Sequence, residues 1–160
     1  MTVVGKDGRP LVAVTIGDPA GIGPEITLKV LAKKEIYNFS VPVVVGASWI
    51  LKENMSLVGV SMKVRAIEHP GEAMGRAGVI DLLETGDIRP GSVRMGEVSA
   101  AAGAFSAQCV ERATGMALAG EVHSVLVAPV NKQALYEGGY HFAGWSEFVK
   151  HLTGTREAIQ

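Results

Sequence analysis

Apolar residues fall along this chain in short runs divided by turn-forming residues. Residues 11–16 form a β-branched run that stops at Gly17-Asp18-Pro19, and a helical pattern opens at Pro24, a residue favoured in a helix's first turn. This predicts a strand, a loop and a helix. Val41–Gly46 is too short for a helix and is bounded by turn-formers, so it reads as a second strand followed by a helix over 48–55. Residues 62–67 predict a third strand. The Gly-rich stretch 71–91 contains a short candidate strand at 79–83.

From 98 to 120, Phe105, Cys109, Val110, Met116 and Leu118 recur at helical spacing and Gly120 supplies a stop, which makes this the longest helix. Residues 124–128 have the composition of a buried strand ending at Pro129. Helical patterns follow over 131–137 and 146–152, the first closing on Gly138-Gly139 and the second near Gly154. A turn and the start of another element are expected between Thr153 and Gln160. Alternation of strands and helices predicts a layered α/β/α architecture with a largely parallel or mixed sheet. No internal repeat, low-complexity tract or linker interrupts it.

Composition narrows the function. The 160 residues carry 15 Lys and Arg against 16 Asp and Glu, so no broad cationic field exists to hold nucleic acid or anionic lipid. Apolar residues make up 48% and charged residues 19%, below the usual quarter, so the chain either buries much of itself or has a face meant for another subunit or domain, the second implying association. No run approaches 18 apolar residues, and the first ten lack a signal-peptide core, so the expected location is cytoplasmic, away from the membrane. A single cysteine, Cys109, excludes an internal disulfide and reads as a buried structural thiol.

Candidate chemistry lies at two strand ends. The segment Gly17-Asp18-Pro19-Ala20-Gly21-Ile22-Gly23-Pro24-Glu25 is neither a Walker loop nor a dinucleotide fingerprint, but its glycines and prolines specify a rigid shape where open α/β sheets place ligands. Asp18 and Glu25 oppose a bound anion and favour hydroxyl, ammonium or cation partners. For Glu25 the alternative is a plain complement to the helix dipole, and for Asp18 a turn cap. At the second strand end, Pro129-Val130-Asn131-Lys132 opens a helix. A cation in a first turn opposes the dipole, so Lys132 calls for a carboxylate, a phosphate or a developing alkoxide; the alternative is a solvated lysine. Farther on, Ser146 reads as a possible helix cap, Trp145 as a packing residue or ligand wall, and the four histidines as ordinary ones without metal-ligand spacing.

These loops resemble those of the PdxA family, the 4-hydroxythreonine-4-phosphate dehydrogenases of vitamin B6 biosynthesis. Three blocks carry the likeness: Thr15 through Glu25, Ala128-Pro129-Val130-Asn131-Lys132, and Gly139-Tyr140 through Gly144-Trp145-Ser146-Glu147. The resemblance implies an isopropylmalate-dehydrogenase-like fold of two α/β domains, of which residues 1–160 are the amino-terminal portion, with a site completed across a homodimer. It implies NAD or NADP and a divalent metal cation acting as a Lewis acid, in the oxidation and decarboxylation of 4-phosphohydroxy-L-threonine or a related phosphorylated small molecule. Lys132 and Asp18 become the catalytic candidates, and Trp145, Ser146 and Asn131 the substrate-binding ones.

Two departures go with the resemblance. Family members are longer, and their metal-binding histidines and most cofactor contacts lie beyond the point matching Gln160. The family's Gly-His-Thr/Ser-Glu block reads Gly144-Trp145-Ser146-Glu147 here, and an indole accepts no hydrogen bond and does not titrate near neutrality. The hydroxyl is kept at Ser146. Other substrates come into view, four-carbon sugar-acid phosphates and dihydrodiols among them, as does a non-catalytic binding or assembly protein.

Overall fold

The structure, a computed structural model, describes Gly5 and residues 7–156. Five strands, β1 (Leu11–Thr15), β2 (Val41–Gly46), β3 (Lys63–Ala66), β4 (Val79–Glu84) and β5 (Ser124–Val127), form one sheet in the order β3-β4-β2-β1-β5. Every pairing is parallel, as the alternating pattern predicts. Parallel neighbours need crossovers; α-helices supply those that follow β1, β2 and β4, while the β3–β4 connection carries only the short 3-10 turn Pro70–Glu72. The helices are α1 (Gly23–Leu31), α2 (Ser48–Val58), α3 (Ala100–Leu118), α4 (Lys132–Glu137) and α5 (Trp145–Thr153). None is long and apolar enough to cross a membrane. The further element expected toward Gln160 lies outside the described residues.

Handedness decides which face each helix takes. A parallel crossover is right-handed in nearly all proteins, so steps in opposite directions along a sheet place their helices on opposite faces. The steps from β1 to β2 and from β2 to β3 run one way, and α1 and α2 lie side by side. The step from β4 to β5 runs the other way, and α3 packs against β1, β2 and β5 with α4 and α5 stacked on it. The result is an α/β/α layer structure.

The core sits under α3 and along the middle strands. Leu11, Ala13, Val43, Val45, Leu83, Phe105 and Cys109 are essentially inaccessible, each large side chain contributing about 1.5–3 kcal/mol. Cys109 is the buried thiol expected, and burial pushes its pKa up. The buried Asp81 carboxylate accepts from Arg65 Nε and the Met74 amide, both at 2.7 Å, which ties the β3–β4 connection to the sheet. A buried charge needs that pairing.

Two expectations change. The helix expected over 48–55 runs on to Val58, where Gly59 (φ 67°) ends it in the left-handed conformation. The strand expected to be buried at 124–128 alternates exposed and half-buried, because β5 is the last strand on its side of the sheet and no described helix covers it on α1's face. An apolar run reports what a strand can bury and not what covers it.

The α3–α4 contact is close enough to need glycine. A Cβ on Gly103 would fall 1.8 Å from the Ala134 carbonyl oxygen, and one on Gly138 2.5 Å from the Ala104 nitrogen. Gly103→Ala is therefore expected to cost about 3 kcal/mol, the upper end for overpacking. A urea titration checks it: the midpoint falls while the slope stays near that of the unaltered chain.

Candidate functional site

The two strand exits singled out in the sequence are bonded to each other. The β1–β5 ladder ends at Thr15 opposite Val127. Beyond it the Ala128 amide donates to Thr15 Oγ1 at 3.3 Å and the Asp18 amide donates to the Pro129 carbonyl at 3.0 Å. Gly17 makes this approach possible. It adopts φ 69°, and a Cβ there would lie 2.4 Å from the Pro129 oxygen. Behind the joint, the buried Ser106 hydroxyl of α3 lies 3.0 Å from the Gly17 carbonyl and 2.8 Å from that of Ala102, an acceptor for its single proton on either side.

Asp18 is 5% exposed and spends one carboxylate oxygen on the Ala20 amide at 2.8 Å, so it caps the turn. It also lines a hollow of about 330 Å³, together with Gly21, Gly96, Glu97, Pro129 and Asn131. Glu25 lies on the outer side of α1, where it pairs with Lys29 at 2.5 Å in a solvated i,i+4 contact. Of the two readings weighed for it, the plain one describes its surroundings.

Asn131 caps α4, its Oδ1 accepting from the Ala134 amide at 3.0 Å, and its exposed side lines the same hollow. Lys132, the first residue of α4, is exposed, and among the described residues no carboxylate pairs with it. Its Cε lies 3.8 Å from where a Cβ on Gly144 would be, which sets the third block beside the second. Trp145 completes that contact by donating its indole N–H to the Ala128 carbonyl at 3.0 Å, with its ring stacked toward Phe148 at 6.1 Å. The expected cap is corrected: the N-cap of α5 is Gly144, Ser146 lies inside the helix, and the Glu147 carboxylate takes the Ala143 amide at 2.8 Å.

One wall of the hollow was not singled out in the sequence. The loop between β4 and α3 folds back so that the Gly96 amide donates to the Ala20 carbonyl at 2.7 Å. α3 itself begins at Ala100, capped by Ser99, later than the residue 98 its pattern indicated. The only local sign of the loop's return is Gly96 itself, at φ 80°.

The hollow sits where the chain reverses direction across the sheet. From β1 the chain leaves toward β2 through α1, and from neighbouring β5 it leaves into α4, packed with α3 on the opposite face. Adjacent exits that part to opposite faces leave a crevice between them, which is where open α/β sheets bind ligands. A profile of the family described as pyridoxal phosphate biosynthetic protein PdxA matches residues 38–160.

The chain belongs to the PdxA family. D-threonate 4-phosphate dehydrogenase of Pectobacterium atrosepticum is 38% identical over 148 residues, covering 92% of this chain and 45% of that protein. A 4-hydroxythreonine-4-phosphate dehydrogenase from Burkholderia phymatum superposes with a TM-score of 0.89 at 38% identity, covering 93% of this chain and 45% of the other. The Klebsiella pneumoniae structure of that name gives 0.86 at 39% identity, with coverage of 92% and 44%. The chain thus spans a little under half the length of these PdxA-family relatives.

Among the described residues no three His, Cys, Asp or Glu side chains come together to hold a metal ion. His69 caps a short turn through Nδ1, His141 sits edge-on to Tyr136, and His151 lies against Phe142. The resemblance places the ligands of its metal beyond the point matching Gln160.

The left-handed Gly17 is the part of the joint open to test. Gly17→Ala is expected to cost at least about 2 kcal/mol, from the left-handed penalty of 1–2 kcal/mol and the clash with Pro129. Hydrogen exchange reads it locally: the Asp18 amide loses protection by more than the global loss of stability accounts for.

Proposed function

We propose that this chain is the amino-terminal portion of a two-domain, homodimeric, cytoplasmic dehydrogenase that oxidises a four-carbon hydroxy acid 4-phosphate and releases carbon dioxide from the product. The observation that carries the reading is the convergence of the three blocks on Ala128 and Pro129, through the Asp18 amide, the Trp145 indole and the backbone leading to Lys132. The reaction follows from the substrate class. Oxidation at the carbon β to a carboxylate gives a β-keto acid, which loses carbon dioxide because the electron pair left behind is taken up by the new carbonyl. NAD or NADP, when bound, accepts the hydride. A divalent cation, when bound, would polarise the reacting hydroxyl and then the carbonyl; its ligands are not found among the described residues.

Each candidate then has a task its surroundings permit. Lys132, cationic and without a carboxylate partner among the described residues, neutralises the phosphate or the alkoxide that develops at the reacting carbon. Asp18, held by the Ala20 amide, accepts a hydrogen bond from the substituent next to the carboxylate, whether hydroxyl or ammonium. Asn131 and Ser146 offer neutral hydrogen bonds to the substrate. Trp145 commits its one donor to Ala128, so what it offers a substrate is an apolar face.

Two substrates fit. 4-Phosphohydroxy-L-threonine carries an ammonium next to its carboxylate, and its use would place the protein in pyridoxal phosphate biosynthesis. D-threonate 4-phosphate carries a hydroxyl there, and the activity named for the Pectobacterium relative favours it. Assays of the intact protein with each compound, either nicotinamide cofactor and a divalent metal distinguish them; no cofactor reduction with either would overturn the proposal. In the same assay Lys132→Ala is expected to lower kcat/KM by about ten- to a hundredfold, the weight of one charge-assisted hydrogen bond, with the urea midpoint unmoved.

A further inference from the structure

On the reading that Lys132 is the cation that meets the substrate, we infer that Trp145 is its positioning residue, fixing through the indole N–H the turn that leads into Lys132. α4 has six residues, too few for a helix to hold its own first turn. The place of Lys132 is therefore set by whatever holds the backbone before it. That backbone is the exit from β5, Ala128-Pro129-Val130-Asn131. The Pro129 carbonyl accepts from the Asp18 amide at 3.0 Å, which anchors the turn to the β1 loop. Held there alone, the turn would still pivot about a single hydrogen bond. The Trp145 indole adds a second anchor one residue earlier, on the Ala128 carbonyl at 3.0 Å, and it comes from a different element.

The anchor is itself fixed. Trp145 opens α5, and its ring stacks at 30° and 6.1 Å on Phe148, which is fully buried in the small cluster with Leu135. Leu135 belongs to α4, so the same cluster ties the two helices together behind the turn. Gly144, the residue before Trp145, lies beside the lysine stem, with Lys132 Cε 3.8 Å from where its Cβ would be. One stretch of backbone thus flanks the Lys132 side chain and carries the donor that holds the turn before it. Two other roles fit Trp145 less well. Recognition of a polar group on the substrate needs a free donor or acceptor, and an indole has one donor, already given, and no acceptor. Packing on Phe148 needs only a ring, whereas the buried Ala128 carbonyl needs the nitrogen.

A double-mutant cycle in the intact protein tests this. Trp145→Phe keeps an aromatic ring and removes the N–H; Trp145→His restores a donor, because imidazole Nε2 takes the ring position of indole Nε1. Trp145→Phe is expected to lower kcat/KM about tenfold when Lys132 is present and by less than about twofold in the Lys132→Ala background. Trp145→His is expected to recover most of the loss. The same factor in both backgrounds, or no loss in either, overturns the inference, since a packing role or a direct contact acts whether or not Lys132 is there. Hydrogen exchange gives a readout that needs no substrate. The Ala134 and Leu135 amides, which bond to Asn131 in the first turn of α4, are expected to exchange about tenfold faster in Trp145→Phe, relative to amides of α3, and to return in Trp145→His. Unchanged exchange at these two amides overturns the inference. If the unaltered protein turns over neither substrate, the functional reading has failed, and exchange alone decides whether Trp145 holds the turn.

Discussion

The site depends on a joint at which strand pairing ends without the strands parting. Beyond Thr15 and Val127 the loops of β1 and β5 head for opposite faces, yet the Thr15 hydroxyl and the Pro129 carbonyl each take an amide from the other loop. Thr15 is fully buried, so losing its partner would leave a polar group unsatisfied at about 1–3 kcal/mol. The left-handed turn at Gly17 lets the backbones touch, and Ser106 fixes the joint to α3. Movement of either loop would break bonds in both.

Packing between helices extends this constraint to the other candidates. Because Gly103 and Gly138 allow α3 and α4 to meet at backbone distance, α4 is held by the same helix that reaches Gly17 through Ser106. Asn131 and Lys132 therefore sit at a set distance from Asp18, and Trp145 adds α5 through Ala128. A second small cluster, with Leu135 and Phe148 at its centre and Tyr140, Phe142 and Trp145 around it, supports this side. Tyr140 titrates above the usual tyrosine range because it is desolvated and lies beside Glu111.

Glycine and proline made both corners legible in the sequence, because their special dihedrals are local properties of a few residues. Val41–Gly46 and the long helix were legible for a similar reason, since apolar periodicity is also local. Three features were not. The return of the β4–α3 loop rests on one backbone bond, from Gly96 to Ala20, which carries no side-chain signature. The exposure of β5 depends on its neighbours in the sheet, so Val125 and Val127 read as fully buried although they are only half so. The cap of α5 is a glycine assisted by Glu147, and a search for hydroxyl caps picks the wrong residue, Ser146. The shortage of charge has a counterpart in exposed apolar side chains such as Val30, Phe39 and Leu126.

Strand order, which no local pattern encodes, explains why the exits of β1 and β5 can hold a crevice between them. Right-handed crossovers send the chain along one face while it moves from β1 toward β3, and along the other while it moves from β4 to β5. Neighbouring strands release their loops to opposite sides at β1–β5 and again at β2–β4, and the hollow lined by Asp18, Gly96 and Asn131 lies at the first of these. β1 and β2 both exit toward the α1–α2 face and leave no crevice between them, whereas β1 and β5 separate around one. The same geometry leaves the outer strip of α1's face bare, because a chain moving toward β3 lays α1 and α2 away from β5. The crevice and this bare strip both border Pro129, where β5 leaves the sheet.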